Sequence, residues 1–185
     1  MELKNFVTVY DSVLPDETLE TFLKVCKTLD WEDARVGNDQ VDKSIRKVKK
    51  CDLGDLSDSM TNVHWFNVIR HTFYHHLKDY LTRKKITASY GPIDAIQVLK
   101  YKETDHYDFH HDSAPNTPRT FSCIFFVNDD YQGGELCFQN PNHTGEYTIT
   151  KKANRMIIWP SSFLFPHRVM PVKNGERFSV VAWTL

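Results

Sequence analysis

Past Pro92 the chain reads Ala95-Ile-Gln-Val-Leu-Lys-Tyr101, Phe121-Ser-Cys-Ile-Phe-Phe-Val127, Glu135-Leu-Cys-Phe138, Tyr147-Thr-Ile-Thr150, Met156-Ile-Ile-Trp159 and Phe178-Ser-Val-Val-Ala-Trp183. Each is a short run of β-branched and aromatic residues, which fit a pleated, half-buried surface, so each predicts a strand. Turn formers divide them: Gly133-Gly134, Asn140-Pro141-Asn142, Pro160-Ser161-Ser162 and Asn174-Gly175. Upstream the hydrophobic period is helical. Within Leu14 to Leu29, Leu19, Phe22, Leu23 and Cys26 recur at threes and fours, Pro15 falls where a first helical residue stands, and Asp16 and Glu17 follow. A longer helix is predicted from Thr61 to Leu81, with Ser59 or Thr61 as cap and Val63, Phe66, Ile69, Phe73, Leu77, Tyr80 and Leu81 as its apolar stripe. Helices first and many short strands after predict an α+β chain: an antiparallel sandwich or jelly roll whose N-terminal helices cover one sheet.

The 185 residues predict a single domain, with residues 1–92 a mainly helical support and 93–185 the jelly-roll core. At 41% hydrophobic and 25% charged, the composition excludes a disordered or fibrous protein. With 23 Lys+Arg against 24 Asp+Glu the net charge is -1, which removes the basic excess a nucleic-acid binder uses on phosphates. Met1 to Tyr10 carries Glu2 and Lys4 and lacks the apolar core of a secretory signal, and no apolar run reaches the roughly 18 residues of a membrane helix. A soluble cytoplasmic protein without membrane partners is expected. Cys26, Cys51, Cys123 and Cys137 form no Cys-x-x-Cys pair, so reduced, buried thiols are expected.

Nine histidines invite a search for a metal site. His64, His71, His75 and His76 fall on the long helix. His71 and His75 are four apart, but the carboxylate that completes such helical motifs is missing, so all four read as structural. The informative cluster is His106, His110, His111 and Asp112. On an extended segment His110 and Asp112 share a face while His111 points away, so one imidazole and one carboxylate reach a common point. Alone, His-x-Asp is common by chance and reads first as polar surface. Its weight rises with His167, set among apolar neighbours where an unpaired ring is costly, although a hydrogen-bonded core histidine explains it as well. Ten residues on, Arg177 opens an apolar strand and needs an acidic partner, either a nearby side chain or a bound carboxylate. A hairpin at Asn174-Gly175 with a left-handed Gly175 pairs Arg177 with Pro171 and sets it on the face of His167, about 13 Å along the ladder; a strict two-residue turn pairs it with Val172, facing away. Two histidines and a carboxylate leave three positions of an ion open, the donor set of non-haem Fe(II) oxygenases. A structural zinc site wants four protein ligands.

The stretch Tyr101-Lys-Glu-Thr-Asp-His-Tyr-Asp-Phe-His110-His-Asp112 resembles the Y-x-x-G-x-x-Y-x-x-H-x-D segment of the 2-oxoglutarate- and Fe(II)-dependent prolyl 4-hydroxylases. Arg119-Thr120, Phe125-Phe126-Val127-Asn128, Gly133-Gly134-Glu135-Leu136, His167, Arg177 and Val181-Ala182-Trp183 follow in the family's order, so the resemblance runs from Gln97 to Leu185. It implies a double-stranded β-helix, with His110, Asp112 and His167 as iron ligands and catalytic centre. It further implies Arg177 and Tyr101 on the distal carboxylate of 2-oxoglutarate, Leu136 packed against that cosubstrate, and O2 consumed in hydroxylation, with ascorbate an optional accessory. A planar bidentate cation and a phenol donor suit those roles.

The implied activity is hydroxylation of proline in a protein or peptide. Arg119 and the segment Val36 to Lys50, with Asp42, Arg46 and Lys47, are the candidate substrate contacts. Two residues depart from the pattern. Thr104 replaces the usual Gly, which predicts a less sharp turn, and Phe126 stands where some hypoxia-sensing relatives place a tyrosine hydroxyl on the cosubstrate. The same centre also serves a free amino acid or nucleobase substrate, and a non-catalytic jelly-roll binding module needs one of the three ligands to lie apart.

Overall fold

The computed structural model describes residues 2–36, 40–54, 59–140 and 144–185. A 3-10 turn at Leu3–Phe6 leads into β1 (Thr8–Asp11), α1 (Asp16–Cys26), β2 (Glu32–Asp33), β3 (Arg46–Lys47), β4 (Lys49–Leu53) and α2 (Met60–Lys84). Strands follow: β5 (Ile93–Tyr101), β6 (His106–His110), β7 (Phe121–Phe126), β8 (Gln132–Gly133), β9 (Leu136–Gln139), β10 (Glu146–Ile149), β11 (Arg155–Pro160), β12 (His167–Val169), β13 (Val172–Asn174) and β14 (Arg177–Thr184). Pro15 precedes α1 as its extended N-cap residue rather than opening the helix. Ser59 caps α2, its hydroxyl accepting the Asn62 amide at 3.2 Å, and Lys85 ends it in the left-handed conformation. No helix among the described residues is long and apolar enough to cross a membrane.

Two antiparallel sheets face each other. The larger runs β1-β11-β7-β14-β5-β4-β2 and the smaller β10-β9-β12-β6-β3, with β8 and β13 as a separate ribbon. Alternation along the central strands divides the apolar side chains into two cores. Phe178, Val180 and Ala182 of β14, with Ile96, Val98, Cys123 and Phe125, join Phe22 of α1 and Trp65, Ile69, Phe73 and Leu77 of α2. Val181 and Trp183 of β14, with Leu99, Tyr101, Ile124 and Trp159, face Leu136, Phe138 and Val169 of the smaller sheet. Both faces of the large sheet are therefore covered, which is why every residue of β7 and β14 is buried and why these strands read as continuous apolar runs. The same alternation turns Arg177 and Ser179 to the inner face, alongside Val181 and Trp183.

The Asn174-Gly175 hairpin does not form in either anticipated register. Val172 pairs with Gly133 on the β8 ribbon, while Arg177 pairs with Tyr101. Gly175 does take the left-handed conformation, at φ 81°, but the turn carries the chain between layers, so Arg177 and His167 approach across the sandwich rather than along one ladder. The Asn140-Pro141-Asn142 turn lies largely outside the described residues.

The four cysteines are buried and form no disulfide among the described residues. The two halves of the chain are joined by Asn154, left-handed at φ 63°, whose side chain accepts the Leu14 amide at 2.9 Å and donates to the Leu14 carbonyl at 2.7 Å. These buried bonds fix the entry of α1 onto the large sheet. Asn154→Ala removes both, orphans the Leu14 groups and places a Cβ-bearing residue without local hydrogen bonding in the left-handed region. A loss of about 2–4 kcal/mol in denaturant-derived unfolding free energy is expected, with the slope of the transition unchanged.

Candidate functional site

The centre is assembled by two neighbouring strands of the smaller sheet. In the β6/β12 pairing His110 stands directly opposite His167, and Asp112 follows two residues beyond β6 on the same side. Asp112 Oδ1 lies 3.7 Å from His110 Nε2, and Asp112 Oδ2 lies 3.5 Å from His167 Nε2. One ligand atom from each residue falls within 4.8 Å of the others, and among the described residues no other histidine, cysteine or carboxylate group of three does so. Of the helical histidines, His76 is engaged locally, its Nδ1 2.8 Å from the Thr72 carbonyl.

Each ring is oriented by its own chain. His110 Nδ1 is 2.8 Å from the Asp108 carbonyl and His167 Nδ1 is 3.0 Å from the Phe165 carbonyl. A carbonyl can only accept, so Nδ1 carries the proton in both rings and the Nε2 lone pairs are left for a cation. Burial, reinforced by the neighbouring His167 ring, pushes the His110 imidazole down to about 3, so it is neutral at pH 7. Burial also acts against charge on Asp112, but the two imidazoles and the Ser122 hydroxyl outweigh it and hold its carboxyl below the ordinary range. A neutral His110 imidazole and an ionised Asp112 carboxylate are protonation states that suit a divalent cation.

Two residues of the centre were not anticipated from sequence. Ser122 donates to Asp112 Oδ2 at 2.7 Å, and Ser161 lies 2.7 Å from Ser122; both are buried. With its single hydrogen given to Asp112, Ser122 accepts from Ser161. The available signal was a serine inside the apolar run Phe121 to Val127.

Beside the three residues lies a cavity of about 290 Å³ whose lining includes Tyr101, Leu136, Trp159, Val169, Val181 and Trp183. Arg177 is fully buried at the start of β14. Its Nη1 donates to Ser179 Oγ at 2.8 Å, and its Cζ stands 4.8 Å from the Tyr101 ring centre and 5.3 Å from that of Phe126. Its Nε and Nη2 are buried without a protein partner. A sealed cation with one free edge is costly unless an anion meets it, and the Nε–Nη2 edge is one on which a carboxylate lands with two parallel bonds. The donor sets thus fit a ferrous ion held on one side and a ligand bearing a distal carboxylate.

Arg119 reaches the cavity wall with Nε and Nη2 at 3.1 and 2.9 Å from Asp94 Oδ2 and with its guanidinium 3.8 Å from the Trp183 ring centre. Of the segment Val36 to Lys50, Val36 and Arg46 line the cavity, whereas Asp42 accepts from Ser44 and Lys47 bonds Thr104 and Asp105. Residues 37–39 of that segment lie outside the described residues. The anticipated relaxation of the turn at Thr104 is not found: Thr104 adopts φ 70°, the left-handed conformation that the usual Gly would take. The constraint is therefore kept and a β-branched residue carries it.

Residues 96–185 match the family model of the 2OG-Fe(II) oxygenase superfamily. A PKHD-type hydroxylase of Xylella fastidiosa is 33% identical over 132 residues, covering 62% of this chain and 56% of that protein. One from Prochlorococcus marinus is 42% identical over 82 residues, covering 42% and 35%. The chain thus spans about half or less of the length of these curated relatives. Among solved structures, a Pseudomonas putida prolyl-4-hydroxylase superposes with TM-score 0.75 at 17% identity, covering 96% of this chain and 91% of that one. A Trichoplax adhaerens prolyl hydroxylase in complex with a hypoxia inducible factor peptide fragment gives 0.78 at 15% identity, covering 98% and 84%. The fold shared with both is the jelly roll described above. Over residues 96–185 the chain is thus similar to the 2OG-Fe(II) oxygenase superfamily, and the His110, Asp112 and His167 donor set fits the Fe(II) that this similarity implies.

Proposed function

We propose that this protein hydroxylates proline in a peptide or protein segment, with His110, Asp112 and His167 holding Fe(II) and with Arg177 and Tyr101 receiving 2-oxoglutarate. The observation that carries the reading is the convergence of three ligand atoms on a cavity walled in part by Tyr101, against whose ring a buried guanidinium with a free edge is packed. A binding module is disfavoured, since it requires one of the three to lie apart. A peptide substrate is supported by the peptide bound to the Trichoplax neighbour and by the shared fold. Residues 1–185 act as one unit in this reading, the helices bracing the sheet that carries Arg177.

Fe(II) and 2-oxoglutarate together supply the O2-dependent oxidising chemistry that places a hydroxyl on an unactivated C–H bond and releases succinate and CO2. The protein's own residues do the placing. The two Nε2 atoms and the Asp112 carboxylate would hold the metal. Ser122 keeps Asp112 Oδ2 hydrogen-bonded, so the carboxylate is oriented before any ion arrives. Leu136, Val169 and Val181 give the cavity dry walls. Arg46 and Arg119, with the Trp183 ring, form the polar and aromatic boundary against which a peptide would rest.

Incubation with Fe(II), 2-oxoglutarate, O2 and proline-containing peptides is expected to yield succinate and a peptide heavier by one oxygen atom; succinate with every peptide unchanged would refute proline as the target. Arg177→Ala is expected to cost about 2–5 kcal/mol of 2-oxoglutarate binding, as for loss of one partner of a buried charge pair, read by calorimetry. Ser122→Ala is expected to weaken metal affinity about 10–100-fold while the thermal unfolding midpoint of the metal-free protein stays near wild type. Equal metal affinity in the two proteins would remove the serine's orienting role.

A further inference from the structure

A second buried donor without a partner adjoins Arg177. Tyr131 stands between β7 and β8, is 4% exposed, and its hydroxyl is buried with no hydrogen-bond partner. The two side chains meet over Gly134, which is left-handed at φ 64°. A Cβ added there would lie 3.1 Å from Arg177 Cδ and 3.2 Å from Tyr131 Cε2, so the glycine lets the phenol ring and the guanidinium stem close on each other. Lys151 Nζ sits 4.3 Å from the Tyr131 ring centre. Burial pushes the Tyr131 phenol up, with Arg177 opposing, so the hydroxyl keeps its proton near neutral pH and acts as a donor. On the other flank of Arg177, Phe126 presents only hydrocarbon.

A buried phenol hydroxyl with no acceptor is costly, and so is the open Nε–Nη2 edge beside it. One carboxylate resolves both. Two of its lone pairs take the guanidinium edge, and its remaining acceptor capacity is free for a third donor. We propose that Tyr131 is a second anchor for the distal carboxylate of 2-oxoglutarate, donating its hydroxyl to the anion that Arg177 grips and thereby selecting a diacid over a keto acid with an apolar tail. The inference rests on the reading of Arg177 given above and adds a specificity-determining residue to it. Leu136 then bounds the carbon chain of the ligand, while Tyr131 joins Arg177 and Tyr101 in reading its far end.

The test compares 2-oxoglutarate with 2-oxovalerate, which has the same carbon chain but a methyl in place of the distal carboxylate. Binding is measured anaerobically on the Fe(II)-loaded chain by quenching of tryptophan fluorescence, since Trp159 and Trp183 line the cavity. Tyr131→Phe, which deletes only the hydroxyl, is expected to weaken 2-oxoglutarate about tenfold or more, as for a hydrogen bond to a charged group, and to leave 2-oxovalerate within about twofold of wild type. Unchanged 2-oxovalerate affinity also reports that the variant is folded with its cavity intact. Equal weakening of both ligands would mean that Tyr131 only shapes the cavity, and unchanged 2-oxoglutarate affinity would mean that the hydroxyl does not reach the anion; either overturns the proposal. Failure of the wild-type protein to bind 2-oxoglutarate would instead overturn the Arg177 reading on which it rests.

Discussion

A guanidinium sealed inside the sandwich, with no acidic side chain among the described residues to meet it, is the constraint from which the rest of the architecture follows. Arg177 sits on the central strand of the larger sheet, with β5 and β7 on its sides, helices behind that sheet and the smaller sheet in front. Desolvating a cation there costs several kcal/mol, which a hydroxyl from Ser179 and two aromatic faces offset only in part. The open Nε–Nη2 edge is one that a bound carboxylate would complete. The helices are then part of the site in a physical sense: by covering the outer face of the sheet they keep water from the strand that carries the charge.

The metal centre belongs to the other sheet, and its link to the first is short. His110 and His167 come from paired strands of the smaller sheet, whereas Ser122 and Ser161 lie on and just past strands of the larger one. The chain Ser161 to Ser122 to Asp112 therefore ties the third ligand to the sheet that holds Arg177. The separation between the three-residue centre and the guanidinium is set by two packed sheets, roughly 10 Å apart as facing sheets generally are, rather than by any loop.

Much of this was legible from residue pattern. The period change at Pro92, the six apolar runs and the pair His110 and Asp112 are local signals, and each found its place. What escaped was non-local. Thr8–Asp11 pairs with β11 from the far end of the chain, and its four residues are too few to stand out as a strand. Arg46–Lys47, at a sheet edge, and Lys49–Leu53, one strand in from an edge, are lysine-containing pieces whose strand character comes from the partners they meet. The hairpin at Asn174-Gly175 was misread because a turn signal says that the chain reverses, not which sheet receives the next strand. Ser122 was overlooked for a related reason: a hydroxyl in an apolar run reads as tolerated polarity until the acceptor across the sandwich is known.

The turn at Thr104 shows how such a site holds its shape. It joins Tyr101, in the cavity wall, to β6, which ends at His110. A β-branched residue at φ 70° costs on the order of 1–3 kcal/mol, and it persists only where its surroundings over-determine it. They do so here. The Thr104 amide donates to the Val172 carbonyl at 2.8 Å, its hydroxyl receives Lys47 Nζ at 2.5 Å, and the adjoining Asp105 accepts the Lys102 amide at 2.9 Å while also pairing with Lys47 at 3.3 Å. Val172 is in turn paired with Gly133, next to the Gly134 over which Tyr131 and Arg177 meet. The strained turn, the β8–β13 ribbon and the guanidinium are thus one connected set of contacts, and a backbone locked at that point fixes the cosubstrate's wall relative to the metal strand.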